Sequence, residues 1–397
     1  GVENTSGPLG QGHTMAVGAA IAERFMAARF GEWLSHKTYA FISDGGIQEE
    51  ISQGAGRIAG FLGLSNLNMF YDSNDIQLST RTEEVSAEDT AAKYQAWNWN
   101  VNTIDGNDPV QVSKALEAAL NETERPSLII GKTIMGKGAL DEHGVSFEGQ
   151  TSTHGMPLSS AGASFEKTIS GLGGDPDNPF VIFKEVGAAY EVLLEEKRKA
   201  AAKRRAEQAE WEKANPALAA KYRSFLDGTL PEIDFASIKQ KDGAPTRGAS
   251  GAVLASLAGQ VENIIVASAD LSNSDKTDAY LKQTTAFTRK NFKGSFLQAG
   301  VSELTMAAIA NGMALHGGVI PVIGTFFVFS DNMKPAVRMA ALMELPVKYV
   351  WTHDAFRVGE DGPTHQPVEQ EAQIRLMEHL RTHSGRRSML VLRPADA

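Results

Sequence analysis

The sequence predicts an α/β protein made of two doubly wound parallel-sheet domains joined by a helical connector, and three observations predict it. Apolar, β-rich runs alternate with helical patterns through the first half. A second series of the same kind begins near Arg247. Between them lies a long stretch of Ala, Lys, Arg and Glu without Gly, suited to helix.

Residues 38–42 form the first β-rich run, which ends at Ser43-Asp44-Gly45-Gly46; a helical pattern with Ile51, Ile58 and Phe61 leads to the next strand at 66–71. The alternation repeats with a strand at 101–104, a helix after Pro109 and a strand at 127–134. Such order builds parallel βαβ units. The connector helices break near Pro216. Glu residues interleave with the connector's Lys and Arg, so it reads as a solvated helical face rather than an RNA-binding arm. Strands at 263–267, 319–329 and 347–351 complete the second series, and no fixed-period repeat relates the halves. The expected boundaries are 1–182, 183–235 for the connector, and 236–397.

A chain of 397 residues exceeds one usual core. Its 42% hydrophobic and 22% charged residues exclude the disordered, collagen-like and disulfide-framework classes. The net charge of −10 argues against a nucleic-acid partner, whose backbone is held by clustered Lys and Arg. With no cysteine, disulfides, thiolate metal sites and a cysteine nucleophile are impossible. The longest apolar run, 317–329, is too short for a membrane span and reads as a buried strand; the lack of cysteine is what points to a cytoplasmic protein. The opening Gly1-Val2-Glu3-Asn4-Thr5 has no initiator Met, and a preceding segment is expected to be missing.

Asp44 follows one predicted strand and Asn74 the next, thirty residues on. Successive strands of a parallel sheet end side by side, so these two oxygen ligands can meet on one Mg²⁺ or Ca²⁺. Asp-Gly and Asn-Asp are also common turn pairs, which is the plain structural reading of each.

Together these residues resemble the thiamine diphosphate motif, in which a Gly-Asp-Gly and a later Asn hold the cofactor's diphosphate through metal; Ser43 here replaces the first Gly. Three further segments make the resemblance that of transketolase. Gly7-Pro-Leu-Gly-Gln-Gly12 is similar to the family's GPLGQG, QAGVSELTMAAIANGMALHGG to its essential-glutamate segment, and VGEDGPTHQPVEQ, residues 358–370, to a long match with no generic turn explanation. The resemblance implies that Asp44, Asn74 and the Ile76 carbonyl bind metal, and that Gly45 lets the backbone approach the diphosphate. It implies that Gly7 and Leu9 hold the cofactor rings, and it places Phe326 and Phe329 around the pyrimidine. Asn332 stands where many relatives carry a tyrosine. Glu303 takes the essential glutamate's role, a carboxyl on the aminopyrimidine that promotes loss of the thiazolium proton. Glu49 is its linked carboxylate across a subunit interface, and Asp270 is a cofactor-side residue.

His154, in a THGMPL loop, is expected at the diphosphate and the substrate side; His365 and Asp361 are expected at the reacting carbons. Arg247, Ser274 and His353 match positions that hold the sugar phosphate, and Arg357 occupies a site that is usually small. The implied activity is transfer of a two-carbon ketol group between sugar phosphates, in the pentose phosphate pathway, by a homodimer with shared active sites. Rival readings are dihydroxyacetone synthase, a 2-oxoacid dehydrogenase component, and a catalytically silent cofactor-binding module. Family members carry further substrate histidines upstream and a phosphate-binding arginine downstream, so the 397-residue chain is expected to bind cofactor without efficient turnover.

Overall fold

Two four-stranded parallel sheets carry the chain, and in each the strand order departs from chain order, so helices must cross their faces. The computed structural model describes residues 2–354 and 358–395. Arg357 lies outside the described residues.

The first half runs α1 (Gln11–Phe30), β1 (Thr38–Ser43), α2 (Asp44–Gln48), α3 (Glu50–Leu62), β2 (Leu67–Ser73), α4 (Thr90–Ala96), β3 (Asn100–Asp105), α5 (Pro109–Asn121) and β4 (Ser127–Lys132). Its sheet order is β1-β2-β4-β3. Short helices α6 (Leu158–Ala161) and α7 (Phe165–Gly171) follow. Local chemistry sets these ends: Asp108 caps α5 by accepting from the backbone N–H of Val110 and Gln111, with Pro109 in the first turn. α3 buries Ile51, Ala55, Ile58, Ala59 and Leu62 as one stripe, and its Gly63 closes it in the left-handed conformation. Phe61, expected with that stripe, is 57% exposed, because it lies at the stripe's margin rather than at its centre.

The connector is α8 (Lys184–Ala214) and α9 (Pro216–Asp227), broken at Asn215 before the proline. α8 buries no residue, and lysine–glutamate pairs such as Lys199–Glu195 line it. Its C-terminal part is held: Arg204 donates to the Ser35 carbonyl oxygen at 2.7 Å, Trp211 packs on Trp33, with ring centroids 5.0 Å apart, and α9 brings Tyr222 and Phe225 within 5.3 Å of Phe30.

The second half runs α10 (Thr246–Ala258), β5 (Ile264–Ser268), α11 (Ser272–Asp275), α12 (Asp278–Leu281), β6 (Phe296–Gln298), α13 (Glu303–His316), β7 (Ile320–Phe326), α14 (Ser330–Leu342), β8 (Lys348–Thr352) and α15 (Gln370–Glu378), with sheet order β6-β5-β7-β8. The strand expected across 319–329 is shorter. β7 stops at Phe326, and Phe327–Phe329 is a 3₁₀ turn feeding α14, so those side chains leave the sheet. The three-residue β6 has no counterpart among the sequence expectations. Among the described residues no helix is long and apolar enough to cross a membrane.

α1 packs against α13, joining the halves, and α13 is buried over most of its surface, as a helix inside a core must be. The two backbones touch. A Cβ on Gly18 would lie 2.0 Å from the Ile309 carbonyl oxygen, and one on Gly312 would lie 1.9 Å from the Met15 carbonyl oxygen. Gly312→Ala is therefore expected to destabilise the protein by about 1–3 kcal/mol through overpacking, although the same change in an exposed helix would stabilise it. Thermal or denaturant unfolding checks the sign, and an unchanged or raised midpoint would contradict the close contact.

Candidate functional site

The carboxyl edge of the first sheet gathers the first group of expected residues. β1 and β2 pair with Ile42 opposite Tyr71 and Ser43 opposite Asp72, so Asp44 and Asn74 emerge past adjacent strand ends. Asp44 is the first residue of α2 and only 1% exposed. One carboxylate oxygen, Oδ2, accepts from the backbone N–H of Asn74 and of Asp75, both at 3.1 Å; Oδ1 accepts from the Tyr71 hydroxyl at 2.6 Å. Burial pushes this carboxyl above its usual range, and those hydrogen bonds pull the other way. The Asn74 Oδ1 accepts from the Ile76 N–H at 3.0 Å, and Ile76 is itself buried.

Leu9 lies over Gly45: a Cβ on that glycine would be 3.0 Å from the leucine Cδ1, so the Gly7–Gly12 loop and the start of α2 form one surface. Glu49 separates α2 from α3. His154 ends a 3₁₀ turn over Thr151–Thr153, and its Nδ1 is buried without a protein partner, as is the Oε1 of Gln11. Among the described residues no group of three or more His, Cys, Asp or Glu side chains is arranged to hold a metal ion. A cation at Asp44 would therefore depend on the Asn74 amide oxygen, the Ile76 carbonyl and ligand phosphate. That hard-oxygen donor set fits Mg²⁺ or Ca²⁺.

A second group forms at the carboxyl edge of the other sheet. Arg247 enters from α10, Ser274 from α11 after β5, and His353 from just beyond β8. The Arg247 Nη1 is 2.7 Å from the His353 Nε2 and 3.5 Å from the Ser274 Oγ, and that Oγ is 3.4 Å from the same Nε2. Burial, then the Arg247 charge, lowers the His353 pKa and favours a neutral imidazole. His353 adopts a left-handed backbone with φ 54°, and its ring stacks on Phe326 at 3.7 Å between centroids. Phe329 stacks on Phe326 at 5.9 Å, and His365 meets Phe329 edge-on at 5.4 Å. Asp361 lies four residues before His365, in an exposed 3₁₀ turn. Asp270, just past β5, is exposed with φ 65°, and Asn332 is an exposed residue of α14.

Glu303 begins α13 and is 9% exposed; the Thr325 hydroxyl, one residue before Phe326, is 3.5 Å from its Oε1. Burial holds the Glu303 carboxyl above its usual range. Tyr71 and Thr325, the partners of the two buried carboxyls, were not among the sequence-derived candidates. The β1–β2 register brings Tyr71 to Asp44, and the packing of α13 beside β7 brings Thr325 to Glu303; no periodicity encodes either.

Two open parallel sheets with their polar residues at the carboxyl ends define the α/β class that takes ligands at that edge. Residues 1–231 match the family described as transketolase, thiamine diphosphate binding domain, and residues 242–397 match transketolase, pyrimidine binding domain. The transketolase of Geobacillus stearothermophilus is 41% identical over 406 residues, covering 100% of this chain and 58% of its own length. Transketolase 2 of Xanthobacter flavus is 40% identical, covering 100% and 56%. Among solved structures, the Leishmania mexicana transketolase superposes with a TM-score of 0.88 at 35% identity, covering 95% of this chain and 56% of that one. The chain belongs to the transketolase family and spans a little over half the length of these relatives. The cofactor of its matched domains is thiamine diphosphate.

Proposed function

We propose that the protein is a transketolase that moves a two-carbon ketol unit from a ketose phosphate to an aldose phosphate, working as a homodimer with shared sites in the cytoplasm. The convergence of Arg247, Ser274 and His353 within 3.5 Å carries this reading. A guanidinium, a hydroxyl and an imidazole meeting at strand ends suit a phosphate monoester. A Pichia stipitis transketolase, at 33% identity and a TM-score of 0.86, was solved in complex with xylulose 5-phosphate, which supports a sugar phosphate as substrate here.

Asp44, Asn74 and Ile76 hold the divalent cation that anchors the diphosphate, and Gly7, Leu9 and Gly45 supply the surface beneath the rings. Glu49 and Asp270 serve on the cofactor side. Phe326 and Phe329 offer an aromatic wall to a flat pyrimidine. When bound, thiamine diphosphate supplies an acidic ring carbon that adds to a carbonyl. Burial favours the protonated form of Glu303, which would donate a hydrogen bond to a ring nitrogen of the bound cofactor. His154 and His365 exchange protons with substrate oxygens, and Asp361 accepts from a substrate hydroxyl.

A coupled assay with xylulose 5-phosphate and ribose 5-phosphate tests the reading, using a polypeptide that spans the relatives' full length. Transfer that depends on thiamine diphosphate and a divalent cation is the expected result. Bound cofactor without any transfer would reduce the protein to a binding module. In the same assay Arg247→Ala should raise KM for the sugar phosphate about tenfold or more while leaving cofactor affinity unchanged, because a charge-assisted contact to phosphate is lost.

A further inference from the structure

α3, a helix of the first half, grips the segment that leads into Glu303 at two points. Gly54 and Arg57 are three residues apart and so share one face of the helix. At Gly54 the segment comes so close that a Cβ would lie 2.2 Å from the Thr305 Oγ1 and 2.8 Å from the Ser302 Oγ. At Arg57 the guanidinium Nη2 donates to the Ala299 carbonyl oxygen at 2.9 Å. The next residue, Gly300, has φ 71°, and a Cβ there would lie 3.2 Å from the Arg57 Nη1 and 3.3 Å from its Nη2. The Ala299 N–H donates to the Ser268 carbonyl oxygen at 3.2 Å, so the peptide is held from β5 on one side and from α3 on the other. Glu303 lies between these contacts.

We infer that Arg57 is a positioning residue for Glu303: by fixing the 299–302 turn it sets where the Glu303 carboxyl stands. The inference rests on the proposed role of Glu303. The plainer reading is a surface arginine that has found the nearest carbonyl, a contact of about 1 kcal/mol with no further effect. Two features speak against it. The turn adopts a left-handed residue with no side chain where the guanidinium lies, and the same helix face receives Ser302 and Thr305 one turn away. A movement of the 299–302 backbone by a few tenths of an ångström changes the geometry of a hydrogen bond made by Glu303, whose strength depends on it.

Two readouts test this in the protein with thiamine diphosphate and Mg²⁺. The first is the exchange of the cofactor's thiazolium proton, followed by NMR, with cofactor affinity measured separately. Arg57→Met is expected to slow exchange roughly 10–100-fold, the range typical of outer-sphere partners, with affinity nearly unchanged. Arg57→Lys, which can still donate to Ala299, should recover part of the loss. Gly300→Ala, which pushes on the guanidinium from the other side, should reproduce the slowing. The second readout, amide hydrogen exchange of residues 299–305 in the cofactor-free protein, should accelerate in Arg57→Met. A structural tie alone would lower the melting temperature and leave thiazolium exchange at the wild-type rate, and that result overturns the inference. Glu303→Gln separates the two levels: if it too exchanges at the wild-type rate, the role of Glu303 is wrong; if only Arg57→Met does, the positioning role is.

Discussion

Glu303→Gln is expected to fold, to bind thiamine diphosphate, and to slow exchange of the thiazolium proton by about 10²–10⁴-fold, the range for a positioned acid or base. The amide keeps the shape of the side chain but cannot supply an acidic hydrogen bond. Exchange followed by NMR reads this step without any substrate. A wild-type rate would remove Glu303 from its role. Stability should move the other way. Burial raises the Glu303 pKa in the folded state above its ordinary value of 4.5, so the folded protein binds that proton more tightly than the unfolded chain does. The advantage is present in full below pH 4.5 and is lost as pH rises through the folded value. The glutamine variant carries no such dependence, so it should match wild type in acid and melt higher than wild type at neutral pH.

Asn74→Ala should weaken metal-dependent binding of thiamine diphosphate by roughly 100-fold or more, exceeding the ~10–100-fold cost of losing an outer-sphere partner. The fold should survive, because Asn74 lies at a loop and the Asp44 carboxylate keeps the backbone N–H of residues 74 and 75 and the Tyr71 hydroxyl. Calorimetry with and without Mg²⁺ separates the cation's share. Unchanged affinity in a folded variant would mean that the cation, if one is bound, sits elsewhere. Asp44→Asn should be at least as damaging, since it removes the one carboxylate of the donor set.

The legible parts of this molecule are those that depend on period and chain order. Asp44 and Asn74 could be paired because any two successive parallel strands end at one edge, whatever their register. The break at Pro216 follows from a single residue that cannot continue a helix. Arg247, Ser274 and His353, spread over a hundred residues, carry no local signal; only likeness to a family joined them before the structure brought them together. Other features were out of reach. The run from 317 to 329 stays apolar through the end of β7, so nothing in its pattern marks where Phe327 leaves the sheet. Arg57 and Thr325 matter through one hydrogen bond each to a segment elsewhere in the chain. Such contacts depend on how finished elements dock, and local propensity is silent about docking.

The direct contact of backbone on backbone between α1 and α13 limits how the molecule can move. Hinged or sliding bodies need side chains at their boundary that can change rotamer as the boundary shifts. At Gly18 and Gly312 there is none, and each glycine meets a carbonyl of the opposite helix. The halves are therefore expected to travel as one rigid body, with any opening that admits a ligand coming from the loops beyond the strand ends. Small-angle scattering should accordingly give the same radius of gyration, at a constant subunit number, with and without cofactor; a contraction on binding would show that this boundary yields after all.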